Sequence, residues 1–161
     1  MAATTGLDWQ DIAGHFNPDG TLRDIYVVDT SMEDWEAVWR LLAVSRGRLT
    51  FSIDGAPSEP PATAAEIFDV GLKHSLLASY EENGLTINCH FFTSSEIEFD
   101  IAPSEISGLK AAETLACFVM AIGETTSKPV LLTEENDSSA VIACFDPAAG
   151  SIEWTPAGRS Q

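Results

Sequence analysis

Basic residues are the scarcest chemistry in this chain: eight Lys and Arg stand against 25 Asp and Glu, a formal net charge of −17 over 161 residues. Phosphate backbones are bound through Lys and Arg, so direct nucleic-acid binding is not expected. Anionic membrane surfaces are repelled for the same reason. Such a field instead speeds encounter with a basic partner, although solubility or a salt-adapted composition accounts for the charge equally well. Cysteine is also sparse. Cys89, Cys117 and Cys144 are odd in number, and no CxxC pair occurs. A disulfide framework, a zinc ribbon and a redox motif are therefore unsupported. Each of the three sits in an apolar run, where a free thiol reads as a small core residue, and the pattern suits a reducing compartment. No stretch approaches the ~18 apolar residues of a membrane span. Met1 to Asp11 shows neither a basic nor an apolar signal region, so a cytoplasmic protein is expected. Phosphate-loop, dinucleotide, nucleophile-elbow and HExxH motifs are missing too, so no enzyme, cofactor or metal site is expected.

What the chain does contain is an ordinary core. Apolar residues make up 45% and charged residues 20%, enough hydrophobicity for one folded domain over residues 1–161 and too much for disorder. Trp9 to Ala13 predicts a short helix, and Asn17-Pro18-Asp19-Gly20 a turn into a strand over Leu22–Asp29. Thr30 and Glu33 read as a capping box for a helix whose apolar stripe is Trp35, Val38, Trp39 and Leu42. Leu49–Asp54 predicts a strand; Pro57, Pro60 and Pro61 a loop; Ala62–Val70 a short helix. Leu76–Tyr80 and Leu85–Phe91 flank Asn83-Gly84, the strongest short hairpin signal. A strand over Glu96–Ile101 follows, then a helix over Leu109–Ile122 ended by Gly123, and late strands at Val130–Leu132, Ala140–Phe145 and Ser151–Trp154. The Ala157–Gln161 tail is expected to fray. Trp35 and Trp39 read as core, whereas Trp9 and Trp154 are core residues or interface anchors. Hairpins outnumber βαβ units, so the predicted class is α+β, a mainly antiparallel sheet with about three helices in a single domain.

One meander stands out. Alternation in Glu96-Ile97-Glu98-Phe99-Asp100-Ile101 sets Glu96, Glu98 and Asp100 on one face and three apolar residues on the other. A two-residue Asn83-Gly84 turn pairs Tyr80 with Ile87 and Glu81 with Thr86. A three-residue Thr93-Ser94-Ser95 loop then pairs His90 with Glu98 and Asn88 with Asp100, since a one-residue slip would bury the carboxylates. The predicted polar face carries Glu81, Thr86, Asn88, His90, Glu96, Glu98 and Asp100, with Phe92 beside it as an exposed aromatic. No Lys or Arg lies anywhere in Leu76–Ile101 to relieve the repulsion. The plain alternative is the solvated side of an amphipathic strand. The acidic turn Glu134-Glu135-Asn136-Asp137 lacks the calcium-loop pattern and adds Glu134, Glu135 and Asp137 to the acidic surface. His90 with Glu98 or Asp100 has the residue types of a catalytic or metal cluster, without a recognised spacing; a surface His–Glu pair is the simpler reading.

A small, acidic α+β chain with the segment Asn88-Cys89-His90-Phe91-Phe92 leading to Glu96-Ile97-Glu98-Phe99-Asp100 resembles the immunity proteins of bacterial contact-dependent and type VI secretion toxin systems. The resemblance implies a binder that neutralises a cognate toxin domain, here a basic one such as a nuclease. It carries no family residue onto this chain, because it rests on size, charge and one segment. The alternatives are a nucleic-acid mimic, since alternate strand residues lie about 6.6–6.8 Å apart and B-DNA geometry implies an interval of about 7 Å, and an enzyme using His90 with a carboxylate.

Overall fold

Antiparallel pairing organises the whole chain. In the computed structural model, which describes residues 7–158, nine strands form one sheet in the order β3-β2-β4-β5-β6-β1-β7-β8-β9. They are β1 (Arg23–Val28), β2 (Arg48–Ile53), β3 (Ala56–Ser58), β4 (Leu76–Glu82), β5 (Leu85–Thr93), β6 (Glu96–Ile101), β7 (Val130–Glu134), β8 (Asp137–Asp146) and β9 (Ser151–Trp154). Every neighbouring pair is antiparallel. The helices are α1 (Trp9–Ile12), α2 (Met32–Val44), α3 (Ala64–Gly71) and α4 (Leu109–Thr126), with 3-10 turns at Ala13–Phe16 and Pro103–Glu105. The α+β expectation is met, with α1 as a single turn beside the three longer helices. Among the described residues, no helix is long and apolar enough to cross a membrane.

Local chemistry explains most of the joints. Asn83 and Gly84 both take positive φ, 51° and 82°, the primed turn whose twist matches two antiparallel strands. Tyr80 faces Ile87 and Glu81 faces Thr86, as the alternation required. His90 faces Glu98 and Asn88 faces Asp100, again the expected register. The loop that delivers it differs, however. The hairpin closes at Thr93 and Glu96 over Ser94-Ser95, and an irregularity between His90 and Thr93 absorbs the odd residue.

Four expectations are corrected. Ser31, not Thr30, caps α2: its hydroxyl accepts from the Asp34 N–H and Asp34 reaches back, a capping box one residue downstream. Thr30 is instead tied to the β5–β6 turn, its hydroxyl donating to the Ser94 carbonyl at 2.8 Å. Gly123 does not end the long helix. It lies inside α4, where an added Cβ would come within 2.3 Å of the Phe145 ring, so the glycine permits close helix–sheet approach. Pro57 belongs to a strand, β3, which sits at the sheet edge where a missing N–H is tolerated. Of the cysteines only Cys89 is buried; Cys117 is exposed on α4 and Cys144 is half-buried. Residues 159–161 of the supposedly frayed tail, and residues 1–6 of the segment read for a signal, lie outside the described residues. The start of the tail is pinned, with the Ala157 N–H donating to the Asp11 carbonyl at 2.7 Å.

The core lies on one side of the sheet. Ile25, Val27, Ile87, Ile97, Phe99, Val130, Leu132 and Phe145 turn towards α2 and α4 and are buried there with Trp35, Leu115 and Val119. Phe91 meets Trp35, Trp39, Phe51 and Phe68 with ring centroids 5.3–6.2 Å apart. Trp9 and Trp154 are partly buried against this core. The alternate residues of the same strands face the other way, where none of the three longer helices covers them.

Candidate functional site

Strand order decides what meets on the uncovered face. β1 inserts between β6 and β7, so its outward residues Asp24 and Tyr26 lie beside Asp100 and Glu98. Two rows result: Asn88–Asp100–Asp24, and His90–Glu98–Tyr26. The Asp24 and Tyr26 contribution was missed in the sequence. Alternation with buried Ile25 and Val27 marks both as outward, but nothing local places β1 next to β6.

Directly opposed carboxylates destabilise a sheet unless something compensates. Here Asp24 and Asp100 are opposed and nearly buried, at 4% and 8% exposure, and each accepts two hydrogen bonds. The Tyr26 hydroxyl donates to Asp24 Oδ2 at 2.7 Å, and the Asn136 N–H donates to the same oxygen at 2.8 Å. Asn88 Nδ2 donates to Asp100 Oδ1 at 3.1 Å, while Ser79 donates to Asn88 Oδ1 at 2.8 Å. His90 Nε2 donates to Asp100 Oδ2 at 2.5 Å. The imidazole therefore bonds diagonally to Asp100 rather than to Glu98, its partner across the strands. That bond raises the His90 pKa above the ordinary 6.5; burial opposes the rise, and the charges of Asp100, Glu98 and Asp24 add to it. Burial raises the pKa of Glu98 as well, reinforced by Asp24 and Glu96 and opposed by the Tyr26 hydroxyl and His90. Tyr26 is pushed up by burial and by its bond to Asp24.

Phe92 is 74% exposed, and its ring lies parallel to the His90 ring, at 1° and 5.4 Å between centroids. Further across the sheet, over β1 and β7, two depressions of about 340 and 330 Å³ share Tyr26, Val28 and Leu131; Lys128 borders one and Glu96 the other. Thus His90, Phe92, Glu96, Glu98 and Asp100 come together as expected. Glu81 shares their side of the sheet but lies on β4, exposed and opposite Arg48 of β2. Glu134 does not join them, since it pairs with Arg23 and so has the helix-side alternation. Glu135 accepts from the Leu22 N–H at 3.3 Å and so ties the β7–β8 turn to the start of β1, while Asp137 accepts from the Ser139 N–H at 3.1 Å within its own turn.

A neutral His90 held by Asp100 has the geometry of an oriented base. Arg or Lys is absent from the outward positions of β1, β4, β5 and β6. Among the described residues no group of three or more His, Cys, Asp or Glu side chains could hold a metal ion, which weighs against the enzyme reading. A larger depression of about 500 Å³ lies away from this face, between α2 and the proline loop, and mixes Trp39 and Pro61 with Glu36 and Arg40. No protein-family model, curated protein or solved structure matches the chain.

Proposed function

We propose that this chain is an immunity-type protein of a bacterial toxin system, acting in the cytoplasm, which binds a cognate basic toxin domain through the uncovered sheet face and neutralises it. One observation carries the reading: the side of the sheet without helices sets Glu96 and Glu98 of β6 beside an exposed Phe92 of β5, with Asp100 and Asp24 further along the same face. An apolar anchor inside a charged rim is the anatomy of a protein-binding patch rather than of a merely solvated strand. A nuclease suits it best as partner, because a surface that holds phosphate is itself basic. The nucleic-acid mimic fits less well. Asp100 is nearly buried and occupied by Asn88 and His90, so the evenly spaced row of three carboxylates presents only Glu96 and Glu98.

Co-expression tests the reading. In a host killed by the toxin domain encoded beside this chain's gene, the wild-type chain restores growth. A folded Glu96→Lys/Glu98→Lys variant does not, and binds the domain at least about tenfold more weakly. Full protection by that variant contradicts the assigned face, and a gene neighbourhood without any toxin domain contradicts the assigned class.

A further inference from the structure

We infer that the partner's anchor on this face is an arginine, its guanidinium laid flat on the Phe92 ring and paired with the flanking Glu96 and Glu98 carboxylates. The inference rests on the binding reading above and adds the chemistry of the group that docks.

Three features of the face select that group. The first is the aromatic platform. One side of the Phe92 ring is stacked on His90 at 1° and 5.4 Å, which fixes its plane, and 74% of the residue remains exposed. His90 is itself held by Asp100 at 2.5 Å, so the platform is anchored from β6. A planar, weakly hydrated guanidinium stacks on such a ring, whereas an ammonium is compact and strongly hydrated. The second is the distribution of free acidity. Asp24 and Asp100 are nearly buried, and each already accepts two hydrogen bonds, from Tyr26 and Asn136 and from Asn88 and His90. The Tyr26 hydroxyl gives its hydrogen to Asp24 at 2.7 Å, so what it lends to Glu98 is shared. Glu96 and Glu98 are thus the carboxylates available to a visitor. The third is charge complementarity. Glu98 is half-buried among Asp24 and Glu96, both of which raise its pKa, and no basic side chain of β1, β4, β5 or β6 answers it from this face. A guanidinium seated there would bring the charge and the fork of donors together.

Hexa-arginine and hexa-lysine peptides, titrated calorimetrically into the whole protein at one ionic strength, test the inference. Hexa-arginine is expected to bind about fivefold more tightly than hexa-lysine, the ratio a surface cation–π contact supplies. Phe92→Leu keeps the apolar bulk but removes the ring, and should bring that ratio to one; Phe92→Trp should keep it. Glu98→Gln should weaken both peptides. A wild-type ratio of one, or a ratio that survives Phe92→Leu, overturns the arginine anchor, while loss of both peptides in Glu98→Gln still leaves the binding face standing. If Glu96→Gln and Glu98→Gln change neither affinity, the binding face itself fails.

Discussion

Phe91 and Phe92 are neighbours in sequence and opposites in role. Alternation along β5 sends Phe91 among Trp35, Trp39, Phe51 and Phe68, and sends Phe92 onto the bare side of the same sheet. The covered side is closed by aromatic and aliphatic contact, where shape decides stability. The bare side is closed by hydrogen bonds among charged groups, where the arrangement contributes little net stability but fixes side chains in place. Stability and recognition are thus divided between the two faces, and substitutions on each should behave differently.

The largest difference is expected from that pair. Phe91→Ala should lose about 2–4 kcal/mol in denaturant unfolding, since Phe91 is partly buried but packs against four aromatic rings. Phe92→Ala should stay within about 0.5 kcal/mol of wild type. Equal losses would erase the division. Next, Gly123→Ala should destabilise by about 1–3 kcal/mol through overpacking, because the buried Phe145 ring has little room to retreat; an unchanged midpoint would show a looser helix–sheet contact.

On the bare face, Asp100→Asn should lose about 1–2 kcal/mol by weakening the hydrogen bonds that Asn88 and His90 give it. Its sharper signature is pH dependence. The folded His90 pKa lies above 6.5, raised by its bond to Asp100 and by the charges of Asp100, Glu98 and Asp24. The native state therefore binds that proton more tightly than the unfolded chain. The resulting stability is fully present below pH 6.5 and is lost as pH rises through the folded value. In Asp100→Asn the His90 titration, followed by NMR, should fall back towards 6.5 and the slope should flatten. A His90 titration that does not move would deny the bond its role.

Much of this division was legible in the sequence, because alternation is local. Glu96, Glu98 and Asp100 show period two, and Asn83-Gly84 fixes the preceding register, so the outward set on β5 and β6 follows. Trp35, Val38, Trp39 and Leu42 likewise announce the buried face of α2. Three things were not legible, each for a non-local reason. Placing β1 between β6 and β7 depends on the packing of the whole sheet, and with it the Asp24–Tyr26 contribution. Gly123 reads as a helix stop until Phe145, 22 residues later, is known to press on it. The diagonal His90–Asp100 bond follows from side-chain reach within a row already crowded with carboxylates, not from register.

Location against bulk charge is the most direct test of the proposed division. Glu96→Lys/Glu98→Lys on the bare face and Glu113→Lys/Glu124→Lys on exposed α4 positions change the net charge equally. With hexa-arginine as the probe at fixed ionic strength, the first pair should lose at least about tenfold in affinity, and the second no more than about twofold. Equal losses in the two pairs would mean that net charge alone attracts the partner, and would contradict a binding face on this sheet.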